Sequence, residues 1–227
     1  MSSIHNKNYI KVTYKGKKSS YPEKFCKHIF DKKYIKTSKI LDLGCGNGEF
    51  TEEISKLGFE TFGVDINPPK GSKYKKADLV CNKAPWPDNT FDIIFTKSVI
   101  EHFRNPDILV NEAYRLLRPG GVLICMTPSW KHSYKEQFYI DHTHYTPFTR
   151  HSLETICELS NFKNIDCDYF YQLPLLWKFP ILHIFRRMLN LFNLPYKPFS
   201  KTDWWPVETN KIIRFSKEPL LICKAVK

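Results

Sequence analysis

The sequence predicts an α/β protein: a doubly wound, mostly parallel seven-stranded sheet with an antiparallel edge strand, plus a helical, aromatic-rich insertion near the C-terminus. Three observations lead there. Apolar runs of strand length alternate with amphipathic segments of helix length between residues 39 and 160, the pattern of parallel strands joined by right-handed crossovers. The first run opens into a loop with glycine at every second position, Gly44, Gly46 and Gly48. Two further strand-like runs close the chain without a crossover helix between them, which puts an antiparallel strand at one edge.

The elements follow in order. "YPEKFCKHIFDKKYI" carries Phe25, Ile29 and Phe30 at helical spacing, giving one helix ahead of the core. "SKILDLG" is a buried strand, and "NGEFTEEISKLG" a helix stopped by Gly58. "FETFGVDIN" is a second strand cut off by Pro68 and Pro69, "YKKADLV" a short third and "TFDIIFTKS" a fourth. Ile108, Leu109, Ala113, Leu116 and Leu117 predict a helix ended by Pro119-Gly120-Gly121, ahead of a fifth strand, "VLICMTP". "PFTRHSLETICELSNF" is a further helix with Thr149 as its N-cap. "NIDCDYFYQL" and "NKIIRFSKEPLLICKAVK" are the closing strands. Between them, Trp177, Ile181, Phe185, Met188, Leu189 and Phe192 oppose Lys178, Arg186, Arg187 and Asn190, predicting one amphipathic helix with basic flanks.

At 227 residues and 42% hydrophobic composition, the chain supports one full-sized core. Residues 1–227 read as a single domain: a basic N-terminal cap (1–38), a ligand-binding core (39–173), the insertion (174–206) and a final strand region (207–227). No apolar h-region opens the chain and no apolar stretch is long enough to span a bilayer, so a cytoplasmic location is expected. Seven cysteines with no CxxC pair read as reduced, mostly buried thiols. The net charge of +12 is concentrated early, with eleven lysines against Glu23 and Asp31 in residues 1–40. Such a field suits a phosphorylated small molecule, a nucleic acid or an acidic membrane face; a solvated lysine-rich helix face would look the same.

In a doubly wound sheet, ligands bind beyond the carboxyl ends of the strands, where strand order reverses. Glycines there let a ligand lie against backbone. The spacing is G-x-G-x-G and not the G-x-G-x-x-G of dinucleotide enzymes, which disfavours a dehydrogenase. Asp42 ahead of the loop and Glu49 behind it repel phosphate and suit a ligand carrying an ammonium group. Asp65 ends the second strand, where a carboxylate can accept both hydroxyls of a ribose. Asp78 ends the third, where one can accept from an adenine amine. Acids at three successive strand ends line a cleft.

At these residues the sequence resembles the class I S-adenosylmethionine-dependent methyltransferases. "ILDLGCGNGEF" is similar to their glycine-rich first motif, "GVDIN" to the ribose motif and "KADLV" to the adenine motif. "APWPDNTFDIIFTKSVIEHF" resembles the fourth-strand block, and "LLRPGGVLICMTP" the helix, turn and fifth strand. The resemblance implies the Rossmann-like methyltransferase fold, S-adenosyl-L-methionine as cofactor and S-adenosyl-L-homocysteine as product. It assigns Gly44 and Gly46 to the methionine part, within a binding loop that includes Asp42, Cys45, Asn47 and Gly48. Asp65 and Ile66 go to the ribose, Asp78 and Leu79 to the adenine. Lys97 or Ser98 is expected beneath the sulfonium.

Methyl transfer from a sulfonium is an in-line displacement, so alignment is the main task. An oxygen or nitrogen acceptor of high pKa also gains from a general base. Glu101 and His102 in "VIEHF" either orient the loop or take part in the chemistry. Small-RNA 2′-O-methyltransferases hold a metal on a Glu-x-x-Glu-His run; Ser98 replaces the first acid here, so no metal is expected. "YIDHTHYTPFT" places Asp141, His142 and His144 behind the fifth strand, as a base with its orienting acid, a weak divalent site, or a loop-holding group. The run resembles a "D-x-T-H-x-x-P-F" segment of bacterial methyltransferases associated with surface-polysaccharide and glycolipid pathways. The second histidine recurs in that segment, which makes His144 the preferred base and His142 the spare.

The expected activity is therefore O-methylation of a sugar or phosphorylated sugar of a cell-surface glycan, or of its lipid-linked precursor, with an anionic acceptor. The alternatives are a quinone-like or other phosphorylated small molecule, RNA, or a non-catalytic cofactor-binding subunit. Intact Asp42, Asp65 and Asp78 argue against the silent subunit. No RNA-binding module is apparent, so no nucleic-acid partner is expected. The insertion is a lid, a homodimer contact, or a membrane-surface helix at the inner membrane face.

Overall fold

The computed structural model describes residues 19–134, 137–192, 194–197 and 206–227. Its strands are β1 (Lys39–Leu43), β2 (Glu60–Asp65), β3 (Tyr74–Lys76), β4 (Phe91–Lys97), β5 (Leu117–Pro128), β6 (Lys163–Phe170) and β7 (Leu220–Val226). They form one sheet in the order β3-β2-β1-β4-β5-β7-β6. β1 to β5 are parallel, and β7 runs antiparallel against both β5 and β6. β7 is thus the antiparallel member expected at this side. Its Leu221, Cys223 and Ala225 are fully buried.

The helices are α1 (Tyr21–Phe30), α2 (Glu49–Lys56), α3 (Asp107–Leu116), α4 (Trp130–Ser133), α5 (Arg150–Leu159), α6 (Pro174–Lys178), α7 (His183–Leu191) and α8 (Val207–Lys217). α3 buries Leu109, Val110, Ala113 and Leu116 in a large cluster with Leu41, Leu43, Ile94 and Cys125. A second cluster joins Ile40, Ile93, Phe95 and Ile124 to α1, whose Phe25, Cys26 and Phe30 are fully buried. The helix of the expected N-terminal cap is therefore part of the core, while residues 1–18 of that cap lie outside the described residues. α5 begins as expected at Thr149, whose side chain accepts from the Ser152 N–H while Ser152 returns a bond to the Thr149 backbone.

The C-terminal third departs from expectation twice. Residues 207–217, read as strand, form α8, and only 220–226 pair in the sheet. The spacing carried a helical signal: Lys211 bonds Glu208 and Arg214 bonds Glu218, each one turn away, and Pro219 follows the helix end. The predicted single amphipathic helix is also two, α6 and α7, joined by a short 3-10 turn at Pro180–Leu182. Pro180 has no N–H to donate and disfavours helical backbone at Phe179, which sits at φ −129°, ψ 84°. Trp177 consequently turns inward, stacking on His28 of α1 at 4.9 Å. Residues 193 and 198–205 of the insertion lie outside the described residues.

Strand order reverses between β1 and β4. The loops leaving these two strands therefore diverge and leave a crevice at the carboxyl end of the sheet.

Candidate active site

A cavity of about 920 Å³ fills that crevice. One wall is the loop after β1: Gly44, Cys45, Gly46 and Asn47, with Glu49 and Phe50 of α2. At Gly46 (φ +50°) a Cβ would meet nothing within 4 Å, so bare backbone faces the space. Asp65, at the end of β2, ties this wall together: its carboxylate accepts from the Gly46 N–H (3.0 Å) and from the Asn67 N–H (2.9 Å). Ile66 lies beside it, and Ala77, Asp78, Leu79 and Val80 continue the wall past β3. Asp78 accepts from the Val80 N–H at 3.1 Å, which fixes the turn that presents them.

Two expected cofactor residues sit elsewhere. Asp42 is buried beneath the loop, does not line the cavity, and accepts from Thr51 Oγ1 at 2.6 Å. Burial, with Thr51 opposing it, lifts its carboxyl to about 7. It anchors α2 to β1 instead of meeting a ligand's ammonium; Glu49 is the acid of this motif that reaches the cavity. Gly48 caps α2 and is closed off by Tyr74 Oη, 2.5 Å from where a Cβ would stand. At Gly44 the close neighbour is Val99, whose Cγ2 would lie 2.4 Å from a Cβ. Side chains of the protein itself thus account for two of the three glycines.

The floor comes from the end of β4. Lys97 and Ser98 both line the cavity. Burial holds the Lys97 ammonium below its usual range, with Glu101 and Asp42 pulling it back up, and its Nζ lies 5.3 Å from the Phe50 ring centroid. Ser98 is held at φ +56° with its N–H on Met126 O at 2.8 Å.

The opposite wall brings together two loops that the sequence separates by some 40 residues. Glu101 is fully buried, accepting from Thr127 Oγ1 through Oε2 at 2.9 Å. Its backbone carbonyl accepts from the Tyr145 and Thr146 N–H groups (2.8 and 3.1 Å), and Thr146 Oγ1 bonds Phe103 O at 2.7 Å. The 141–146 loop is thereby docked onto the 100–103 turn. His144 Nδ1 lies 2.7 Å from Phe138 O; a carbonyl only accepts, so Nδ1 carries the proton and Nε2 keeps its lone pair. That Nε2 is 3.7 Å from Asp141 Oδ2 and 3.9 Å from Glu101 Oε1. His102 Nδ1 faces Thr143 O and Thr143 Oγ1 (3.2 and 2.9 Å), and Thr143 Oγ1 donates to Asp141 at 2.6 Å. Burial lowers the pKa of both imidazoles; the Glu101 and Asp141 carboxylates raise that of His144 back in part. His102, Asp141 and His144 line the cavity, whereas His142, the spare base, is exposed and does not.

Residues 17–166 match the family described as a methyltransferase domain. The chain belongs to this methyltransferase family. Its cofactor is S-adenosylmethionine, and the residues that the sequence assigned to it, Gly46, Asp65, Asp78 and Leu79, all line the cavity. The fold is shared with an S-adenosylmethionine-dependent methyltransferase structure from Archaeoglobus fulgidus, at TM-score 0.64 and 21% identity over 96% of this chain and 99% of that one. An uncharacterized methyltransferase of Schizosaccharomyces pombe is 33% identical over 114 residues, 41% of each chain. A ubiquinone biosynthesis O-methyltransferase of Pelagibacter ubique is 28% identical over 134 residues, 55% of each. The matches thus span about half or less of these two relatives' own lengths. Among the described residues no helix is long and apolar enough to cross a membrane.

Several cavity residues escaped sequence reasoning, among them Gln137, Gln172, Arg214 and Glu218. The last two had a local signal, their helical i,i+4 spacing. Gln137 and Gln172 had none, because only the packing of distant segments turns them to the cavity.

Proposed function

We propose that this methyltransferase transfers the methyl group to a hydroxyl oxygen of a sugar or phosphorylated sugar, within a surface glycan or its lipid-linked precursor. The observation that carries the oxygen acceptor is the His144 Nε2 lone pair, held in the cavity wall opposite the cofactor loop by the Nδ1 bond to Phe138 O. When bound, the cofactor supplies an electrophilic methyl on a sulfonium. His144 takes the hydroxyl proton, and the nearby Glu101 and Asp141 carboxylates favour the resulting imidazolium. Gln137, Gln172, Arg214 and Glu218 give the acceptor's other hydroxyls donors and acceptors. Arg104, stacked on Tyr145 at 4.4 Å, offers a cation to a phosphate.

A phenolic hydroxyl of a quinone-like molecule is the second reading. Two observations favour it: the Pelagibacter relative's name, and the exposed apolar stripe of α7. Ile184, Phe185, Met188 and Leu191 stand out of the fold there, with Ile181 of the preceding turn, Leu191 at 85% exposure and Arg187 exposed beside them. That stripe supports a membrane-surface contact over a lid, because none of α7 is buried. Transfer of labelled methyl into a fractionated extract tests both readings. Label in aqueous or lipid-linked carbohydrate supports the first, and label in a carbohydrate-free quinone fraction refutes it in favour of the second.

A further inference from the structure

We propose that Glu101, His102 and His144 form a binding site for one divalent first-row cation at the acceptor end of the cavity. The inference deepens the O-methyltransferase reading and rests on it for what the ion would do.

Glu101 Oε1 is fully buried and has no hydrogen-bond partner among the described residues. Leaving a buried acceptor unpaired is unfavourable, because its lost hydration is not replaced. The nearby His144 imidazole does not repair this: its Nε2 is 3.9 Å away, too long for a hydrogen bond. One ligand atom from each of Glu101, His102 and His144 lies within 4.8 Å of the other two. Donors about 2.1 Å from a tetrahedral ion stand roughly 3.4 Å apart, so the three close on an ion by about 1.4 Å at most.

The surroundings match what a metal-binding histidine needs. Both rings have Nδ1 against a backbone carbonyl, Thr143 O for His102 and Phe138 O for His144. That arrangement fixes the tautomer and leaves Nε2 as the donor nitrogen, the usual outer support of a metal-bound imidazole. Two imidazoles and one carboxylate suit zinc or a neighbouring first-row ion and leave coordination positions open. All three residues line the cavity, so those positions face the space left for the acceptor. An ion there acidifies an acceptor hydroxyl, whose proton passes to water. The oxygen then forms its bond to the methyl carbon as the carbon–sulfur bond breaks, the electron pair staying on sulfur. With the ion bound, the His144 lone pair is engaged and the base role belongs to the ion-free protein. The sequence expectation of no metal rested on Ser98; the structure instead adds His144 from a distant loop.

The test uses EDTA-dialysed full-length protein titrated with Co²⁺, read by visible absorption and calorimetry, with S-adenosylmethionine binding measured in parallel. The expected result is one Co²⁺ per chain with nitrogen-ligand absorption bands. His102→Ala and His144→Ala are each expected to weaken it more than about tenfold while cofactor binding is retained. Glu101→Gln should do the same; if that buried change fails to fold, the two histidine variants decide. No Co²⁺ binding, or wild-type affinity in either histidine variant, overturns the site. Cofactor binding without Co²⁺ binding leaves the methyl-transfer reading intact, whereas Co²⁺ binding without cofactor binding overturns that reading alone.

Discussion

Alanine at Gly44 and at Gly46 should fail for different reasons. Both residues have positive φ, +85° and +50°, which costs an L-residue about 1–2 kcal/mol. At Gly44 the new methyl would also stand 2.4 and 2.8 Å from the two Val99 methyls, an overpacking term of about 1–3 kcal/mol. Unfolding entropy of about 2.1 cal/mol/K per residue, over 227 residues, makes 1 kcal/mol worth roughly 2 °C. Gly44→Ala should therefore lower Tm by about 4–10 °C, and Gly46→Ala by only about 2–4 °C. Gly46→Ala puts its methyl into the open cavity; if the cofactor lies on this backbone, the change should weaken S-adenosylmethionine tenfold or more, about 1.4 kcal/mol. Scanning fluorimetry gives the first quantity and titration calorimetry the second. Adding Val99→Ala to Gly44→Ala completes a double-mutant cycle, with an expected coupling of about 1–3 kcal/mol. A coupling near zero refutes the packing account of Gly44, and a wild-type Kd in Gly46→Ala refutes the cradle.

The remaining predictions concern the acceptor wall, the buried acid and α7. His144→Ala should lower kcat far more than it weakens cofactor binding, and near-normal turnover would remove His144 from the chemistry. Asp42 holds its proton to about pH 7 in the folded state, against an ordinary 3.8. The folded state therefore binds more protons than the unfolded between these values, and stability falls as pH rises from about 4 to 7. Asp42→Asn should erase that slope, worth about 4 kcal/mol at its limit; an unchanged pH dependence of the wild-type-minus-variant difference in chemical denaturation contradicts the burial account. Phe185→Glu with Leu191→Glu should abolish co-sedimentation with anionic vesicles while leaving cofactor binding unchanged, and vesicle binding as strong as wild type would sink the membrane contact.

Much of this protein was written locally. Alternating apolar runs, the proline and glycine stops and the Thr149 cap each act over one or two turns of chain. They sufficed for the order of strands and helices up to residue 170, apart from the four-residue α4. The cavity wall after β1 to β3 was equally legible, because Gly46, Asp65 and Asp78 each stand at or just beyond the end of a strand, and a parallel sheet brings those ends together. Local signals failed where a neighbour distant in sequence decided the outcome. Gly44 is a glycine because of Val99 and Gly48 because of Tyr74, and Asp42 is buried by Thr51 and α2. "NKIIRFSK" satisfies both strand and helix periodicity, and its docking beside α7, where Asn190 bonds Ser216 O at 3.2 Å, coincides with helix.

The acceptor wall belongs wholly to tertiary structure. Glu101 and His144 lie 43 positions apart, and nothing in either segment specifies the other. They meet because α3 carries the chain to the opposite end of the sheet and β5 returns it parallel to β4, and because the Glu101 carbonyl then captures two N–H groups of the returning loop. A sequence specifies such an encounter only through the summed packing of every element between, which is why its residue types were readable and their geometry was not.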